Sequence, residues 1–522
     1  MFLYSLVLCT EIFSVDTVNA TSPNVLFILI DDLRFLSAVN ASLPYINEIA
    51  NRGVNFKNAF AQVPIRCAIY SRNSLLTGRR PDTLRLYDFY NYWRDTTANF
   101  TTLPQLFKEN GYDTFSVGKV FHPGKSSNYT DDYPYSWSHL PFHPPTDAYK
   151  DAAVCIDKLT KQFHSNLVCP VTVNKQPGKT LPDLESLDFA INILKNRSQY
   201  NKPFFLGVGF HKPHIPIKFP KEFLTHIPIS KVHPPKNPHI PKKLPLVAWH
   251  PWTDVRSRDD IKRLDIPLPF GTMPEKWTLK IRQSYFAAAM YIDTLIGVLM
   301  SYVDTRKTIV VLTSDHGWSL GENGLWAKYS NFDVALKVPL LFMKPGLRPQ
   351  TIRNPVELVD IFPTLVDLAG LSKNVPKCKN HRDKTLLCYE GKSLVPIMKA
   401  SGKVKTACAI SQYPRPSEYP QNNSDKPRLK SIKIMGYSIR TKRYRYTEWA
   451  TFNNTSFKVD WNKLHGVELY DHITDSDESN NLYLVSRYKN IKNKLSKIVI
   501  YLHLLKIITM ATLNVNHLTY NR

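Results

Sequence analysis

The sequence predicts an α/β protein in which a large central mixed β-sheet is flanked by helices and followed by a smaller C-terminal antiparallel sheet. Three observations carry that expectation. Short apolar runs bounded by turns alternate with helical patterns through most of the chain, the mark of α/β layering. Two of those runs end in acidic residues, Leu29-Ile30-Asp31-Asp32 and Leu312-Thr313-Ser314-Asp315-His316-Gly317. In open α/β sheets, functional groups gather where loops leave the carboxyl ends of strands. Towards the C-terminus the pattern changes to short strands separated by turns.

Taken in order, the expected core strands are Asn24-Val25-Leu26-Phe27-Ile28-Leu29-Ile30, Thr114 to Val120, Phe204 to Phe210, Thr308 to Thr313 and Val338 to Met343. Between them, Leu184, Leu187, Ile191 and Leu194 share one face of a helix over Leu181 to Arg197. Tyr285, Ile292, Leu295 and Leu299 do the same over Ile281 to Tyr302. Val356 to Leu371 reads as another helix, interrupted by Pro363. Ile432 to Met435, Tyr437 to Thr441 and Tyr444 to Trp449 form the expected C-terminal sheet. The tail beyond Leu484 carries Arg487, Lys489, Lys492, Lys494, Lys497, Lys506 and Arg522 and no Asp or Glu. Ile491 to Leu505 there suits a basic amphipathic helix, for which a membrane surface and the protein body are the two candidate supports. The expected organisation is a leader over 1–20, a main α/β domain over 21–400, a C-terminal subdomain over 401–483 and a basic tail over 484–522.

Met1 to Ala20 resembles a secretory signal peptide, with an apolar stretch at Phe2 to Leu8 and small residues near Ala20. Asn-x-Ser/Thr acceptors at Asn40, Asn99, Asn128, Asn196, Asn422 and Asn453 agree with a secreted glycoprotein. No apolar run reaches the roughly 20 residues of a membrane span. Seven cysteines are too few for a disulfide scaffold. Cys155 with Cys169 and Cys378 with Cys388 are local pairs that an oxidising compartment lets close. With Cys9 in the leader, Cys67 and Cys408 are left over. The net charge of +25 suits an anionic partner. Secretion argues against nucleic acid, and a sulfated polysaccharide fits, with a solvated basic face as the plain alternative.

An Asp after a strand is commonly a turn or cap residue. Asp31, Asp32 and Asp315 with His316, however, are three carboxylates and an imidazole at strand ends, a cluster that repels itself unless a cation neutralises it. Carboxylate oxygens suit Ca²⁺ or Mg²⁺.

Several further segments occur in a fixed order: Asp31-Asp32, Arg72 followed by Thr77-Gly78, Gly118-Lys119-Val120-Phe121-His122, His211-Lys212-Pro213-His214, and Ser314-Asp315-His316-Gly317 with Lys328. In this order they resemble the sulfatase family of the alkaline phosphatase superfamily, over roughly residues 24 to 483. The resemblance implies the alkaline-phosphatase-like fold. It implies one Ca²⁺ held by Asp31, Asp32, Asp315 and His316, with Cys67, oxidised to formylglycine, as a further ligand and nucleophile. It implies that Arg72, Lys119 and Lys328 stabilise charge on the sulfate ester, that His122 accepts a proton and that His211 donates one to the leaving alcohol. The implied partners are a sulfated glycosaminoglycan, specifically 2-O-sulfated iduronate of heparan or dermatan sulfate, and the formylglycine-generating enzyme during synthesis. The implied location is the secretory pathway, lysosomal or secreted.

The family signature reads Cys-x-Pro-Ser-Arg-x4-Thr-Gly. Here Cys67 stands five residues before Arg72 rather than four, and Ile69-Tyr70 occupy the place of the Pro. The alternative is therefore a catalytically inactive protein of the same fold that binds sulfated glycans. A phosphodiesterase of the superfamily would need Ser or Thr where Cys67 and Ala68 fall.

Overall fold

The computed structural model describes residues 22–63, 69–88, 90–157, 160–199, 202–380, 382–400 and 408–504. The expected leader (residues 1–20) and Cys67 lie outside the described residues.

The core is a seven-stranded mixed sheet. Its strands are β1 (Asn24–Ile30), β2 (Val54–Phe56), β3 (Asp113–Gly118), β4 (Phe204–Phe210), β5 (Thr308–Ser314), β6 (Leu340–Met343) and β7 (Gln350–Ile352). Their order across the sheet is β7-β2-β6-β5-β1-β4-β3. The centre is parallel, β3 with β4, β4 with β1 and β1 with β5, whereas β6 runs antiparallel to β5 and β2. Every residue of β1, β4 and β5 is buried, which explains why these strands read as near-continuous apolar runs rather than alternating ones.

Flanking this sheet, α1 (Pro44–Arg52) and α3 (Pro182–Lys195) pack against the long α4 (Glu275–Met300), and α2 (Ile69–Thr77) packs against α5 (Ile361–Leu368). The C-terminal part is a four-stranded antiparallel sheet of β8 (Ala409–Arg415), β9 (Ile434–Arg440), β10 (Tyr444–Asn453) and β11 (Lys458–Asp471). On it lies α6 (Lys489–Leu504), which buries Leu495, Ile498 and Val499 against residues such as Met435, Ile439 and Leu469. The helix expected in the tail therefore rests on the protein body. Cys155–Cys169 and Cys378–Cys388 are disulfides.

Several boundaries differ from expectation, among them the helix expected over Ile281 to Tyr302, which runs from Glu275 to Met300, and the strand from Tyr444, which runs to Asn453. The strand from Thr114 stops at Gly118, where φ is +69° and the chain turns to release Lys119. The Val338 to Met343 strand is split at Pro339, which has no N–H to donate to a ladder, so 337–338 joins a small sheet and β6 the large one. Val356 to Leu371 is a two-residue strand and a 3-10 turn before α5 begins at Ile361. Pro363 does not interrupt that helix but sits in its first turn, where the missing N–H leaves no gap. Ile432 to Met435 and Tyr437 to Thr441 are one strand, because Gly436 continues the ladder between Tyr413 and Trp449. Finally, the helix begun near Leu181 ends at Lys195 and passes into a 3-10 turn.

Candidate active site

Because β1 pairs in parallel with β5, with Ile30 opposite Ser314, the residues that follow each strand arrive at one edge of the sheet. Asp31, Asp32, Asp315 and His316 are fully buried there, and each offers a ligand atom within 4.8 Å of the others. The bend after β1 is tightly held. Asp32 has a left-handed φ of 65°, which Asp tolerates better than most residues. Its N–H donates to Asp315 Oδ1 at 3.1 Å, and the Leu33 N–H donates to Ser314 Oγ at 2.9 Å. Tyr285, reaching in from α4, donates to the Asp32 carbonyl at 2.6 Å and accepts the Arg34 N–H at 3.0 Å.

Three cations meet these three carboxylates. Arg72, on α2, donates from Nε to Asp315 Oδ2 at 2.9 Å, and its Nη2 lies 2.9 Å from the same oxygen and 3.3 Å from Asp31 Oδ1. Arg72 Nη1 also donates to the carbonyls of Lys119 and Val120, tying α2 to the loop after β3. Lys119 donates to Asp31 Oδ2, and Lys328 donates to Asp32 Oδ1. The close approach of β3 and β4 depends on glycine. A Cβ on Gly209 would sit 2.0 Å from the Lys119 carbonyl oxygen, so only glycine lets the Lys119 loop settle here.

Burial pushes the Asp32 carboxyl well above its usual range despite Lys328, and pushes Asp315 up to about 6 despite Arg72. Asp31 is different: burial opposes ionisation, but Lys119, His214 and Arg72 together hold it well below the usual range. Full ionisation of all three carboxylates thus calls for a further positive charge. The donor set fits a metal ion. Asp31 Oδ1, Asp32 Oδ2 and His316 Nε2 are buried and have no hydrogen-bond partner. His316 Nδ1 lies 3.1 Å from the Gly317 carbonyl, and burial, aided by Lys328, pushes the ring well below its ordinary range, which suits a neutral ring able to offer Nε2 to a metal ion. Oxygen donors with one imidazole suit a hard divalent cation.

Above this cluster opens a cavity of about 370 Å³, lined by Lys119, His122, Asp147, His211 and His214 among others. That is the scale of a small-molecule site. His122 Nδ1 is buried and has no hydrogen-bond partner, and burial with the nearby Lys119 and Arg72 pushes the ring well below its ordinary range. His211 stands between two carboxylates. Its Nδ1 is 3.4 Å from Asp183 Oδ1, and its Nε2 is 3.7 Å from Asp147 Oδ1. Of the residues singled out in the sequence, Asp31, Asp32, Arg72, Lys119, Asp315, His316 and Lys328 form one buried cluster, His122 and His211 line the cavity, and Cys67 lies outside the described residues.

Sequence reasoning gave no site role to His214, Asp147, Asp183 or Tyr285. His214 Nε2 is 3.9 Å from Asp32 Oδ2, whereas the ion-pair distances of its partner in the His-Lys-Pro-His motif run to Asp147 and Asp183. The motif itself carried that signal, but not which imidazole faces which acid. Asp147 and Asp183 had no signal, each being one of several acids in its segment with nothing in the sequence linking it to His211.

A sequence profile described as Sulfatase matches residues 23–371. The chain is 46% identical over 520 residues to iduronate 2-sulfatase of Homo sapiens, covering 91% of this chain and 94% of that protein. It is 45% identical over 515 residues to iduronate 2-sulfatase of Mus musculus, covering 90% and 93%. Among solved structures, a phosphonate monoester hydrolase from Silicibacter pomeroyi superposes with a TM-score of 0.67 at 20% identity, covering 92% of this chain and 94% of that one. A 2-O GAG sulfatase superposes with a TM-score of 0.62 at 20% identity, covering 92% and 91%. The fold is therefore the alkaline-phosphatase-like one, and the chain belongs to the sulfatase family.

Proposed function

We propose that this chain hydrolyses the 2-O-sulfate ester of a terminal iduronate in heparan or dermatan sulfate. The observation that carries this is the 46% identity over nearly the whole chain to a protein named iduronate 2-sulfatase. The site geometry agrees with it. Asp31, Asp32, Asp315 and His316 are suited to hold one Ca²⁺, with Cys67, converted to formylglycine, as a further ligand. Bound there, Ca²⁺ would supply Lewis-acid stabilisation of the sulfate oxygens, and formylglycine the attacking hydroxyl.

The remaining work falls to side chains in place. Arg72, Lys119 and Lys328 put three positive charges around the carboxylates, next to where charge grows on the ester oxygens. His122, neutral in its buried setting, acts as proton acceptor at the cavity floor. His211, on the cavity wall, gives its proton to the leaving sugar oxygen. The basic charge of the chain draws in a polyanionic glycan. Residues 21–400 serve as the catalytic domain, 401–483 as the C-terminal subdomain and 484–522 as the tail. Entry to the secretory pathway through residues 1–20, modification by the formylglycine-generating enzyme and a lysosomal or secreted destination complete the proposal. In its support, Asn40, Asn99, Asn128, Asn196, Asn422 and Asn453 are all exposed. Among the described residues, no helix is long and apolar enough to cross a membrane.

One observation favours a second reading, a silent protein of the same fold that holds sulfated glycan: the five-residue spacing of Cys67 from Arg72, with Ile69-Tyr70 in place of Pro. Mass spectrometry of the Cys67 peptide from secreted protein, with sulfate release from a 2-O-sulfated iduronate disaccharide, separates the two. The aldehyde mass with sulfate release is expected. An intact thiol with no sulfate release would establish the silent protein instead.

A further inference from the structure

His211 and the two acids on either side of it hold more information than the role of His211 alone. His211 follows β4, while Asp183 lies in the first turn of α3 and Asp147 in a 3-10 turn over Pro145–Tyr149. Asp183 is buried and anchors the loop: its Oδ1 accepts the His211 N–H at 2.6 Å, and its Oδ2 accepts the Lys212 N–H at 3.2 Å. The same Oδ1 faces the ring at Nδ1, 3.4 Å away. On the other side of the ring Asp147 Oδ1 stands 3.7 Å from Nε2, on the cavity wall.

The other charged groups here point elsewhere. Lys212 Nζ donates to the carbonyls of His214 and Pro216, His214 faces Asp32, and Lys119 faces Asp31. From the cavity, Asp147 is thus the carboxylate that meets the ring nitrogen which the leaving oxygen would approach.

We propose that Asp147 is a positioning residue for His211: with Asp183 on the opposite nitrogen it holds the imidazole in the plane and direction needed to hand a proton to the leaving sugar oxygen. This rests on the role given to His211 above. An imidazole carrying both protons has two N–H donors, and carboxylates 3.4 Å from Nδ1 and 3.7 Å from Nε2 attract both before substrate arrives, although neither contact is a hydrogen bond and Nδ1 has no hydrogen-bond partner. Asp183 acts on the ring at Nδ1 by charge alone. The Nε2–H turns from Asp147 towards the leaving oxygen as the S–O bond breaks. The bonding pair stays on that oxygen, which takes the proton, the ring is left neutral, and the sulfuryl group would pass to the attacking hydroxyl assigned above to formylglycine. The contact is too long for a full hydrogen bond, so it steers the ring without competing strongly with the substrate.

The test is a double-mutant cycle on the full chain, with sulfate release from a 2-O-sulfated iduronate disaccharide as the readout. His211→Gln is expected to lower kcat by about 100-fold or more, as loss of a general acid does. Asp147→Asn is expected to lower kcat about tenfold with KM within about twofold, and Asp147→Glu to recover most of the loss. Added to His211→Gln, Asp147→Asn should have less than about a twofold effect, because residues that act through one another are not additive. An unchanged kcat for Asp147→Asn, an equal fall in both backgrounds, or a change confined to KM would overturn the positioning role. If His211→Gln leaves kcat intact, or the natural chain releases no sulfate, the parent assignment fails and this one with it. A selective effect of His211→Gln without one of Asp147→Asn removes the Asp147 role alone.

Discussion

Among the described residues, two clusters have the composition of a metal site, and they do opposite things with it. One is Asp31, Asp32, Asp315 and His316 at the strand ends; the other is Asp333, His472 and Glu478, where the main body meets the C-terminal sheet. In the second, every carboxylate is answered from within the protein. Asp333 accepts from Arg440 at 3.1 Å and from Arg445, and Glu478 Oε1 accepts from Arg445 Nε at 2.6 Å and lies 3.0 Å from His472 Nε2. Glu478 Oε2 accepts the Asp333 N–H at 2.7 Å. Arg440 and Arg445 belong to β9 and β10, so this cluster bolts the small sheet to the large domain. At the strand ends, two carboxylate oxygens and one imidazole nitrogen lack hydrogen-bond partners and a cavity opens beside them. Composition alone does not distinguish a site from a rivet; unsatisfied ligand atoms next to open space do.

The comparison breaks most sharply on substitution of one member from each cluster. Asp32→Asn is expected to reduce turnover by about 1,000-fold, or ~4 kcal/mol of barrier, while thermal unfolding still shows a cooperative fold. Arg445→Met is expected to do the reverse. It leaves Asp333 and Glu478 buried with less compensation, a loss of about 3–5 kcal/mol of stability in denaturant titration, with turnover per folded molecule little changed. Equal effects of both changes on turnover would erase the distinction.

A smaller, pH-dependent effect belongs to the rivet side. Glu468 accepts from Trp449 Nε1 at 2.7 Å and from the Tyr470 hydroxyl at 2.8 Å, yet burial pushes its carboxyl from 4.5 up to about 7. A raised carboxyl binds its proton more tightly in the folded state, so its contribution is fully present below pH 4.5 and is lost as pH rises through about 7. Glu468→Gln should flatten stability across that window, a change on the order of 1–3 kcal/mol between its ends, read from urea midpoints at several pH values. The smallest expected effect is at Lys497, exposed on α6: Lys497→Glu should change stability by less than about 0.5 kcal/mol. Leu495→Ala, on the buried face of the same helix, should lower it by about 2–5 kcal/mol.

Much of this could be read from the chain, and the limit has a physical form. β1, β4 and β5 are buried on both faces, so their apolar runs, and the acids that follow β1 and β5, stand out without any tertiary knowledge. Several of the boundaries that moved turn on a single Pro or Gly, at Gly118, Pro339 and Pro363, whose effect depends on which sheet or helix turn receives them. Pairings between residues far apart in the chain were out of reach. Arg72 with Asp315 is one, and it shows the Arg holding the carboxylates as well as facing the site. Asp147 with His211 is another. The second cluster was invisible for the same reason: Arg440 and Arg445 read only as residues of expected strands, and nothing in the sequence marks Asp333 or Glu478 as their partners.

Elemental analysis of purified protein, natural and substituted, tests the contrast most directly. After identical dialysis of all three proteins against calcium-free buffer, one calcium per chain is expected in the natural protein and in Asp333→Asn, and none in Asp32→Asn. Calcium retained by Asp32→Asn and lost from Asp333→Asn would place the ion in the wrong cluster and contradict the account.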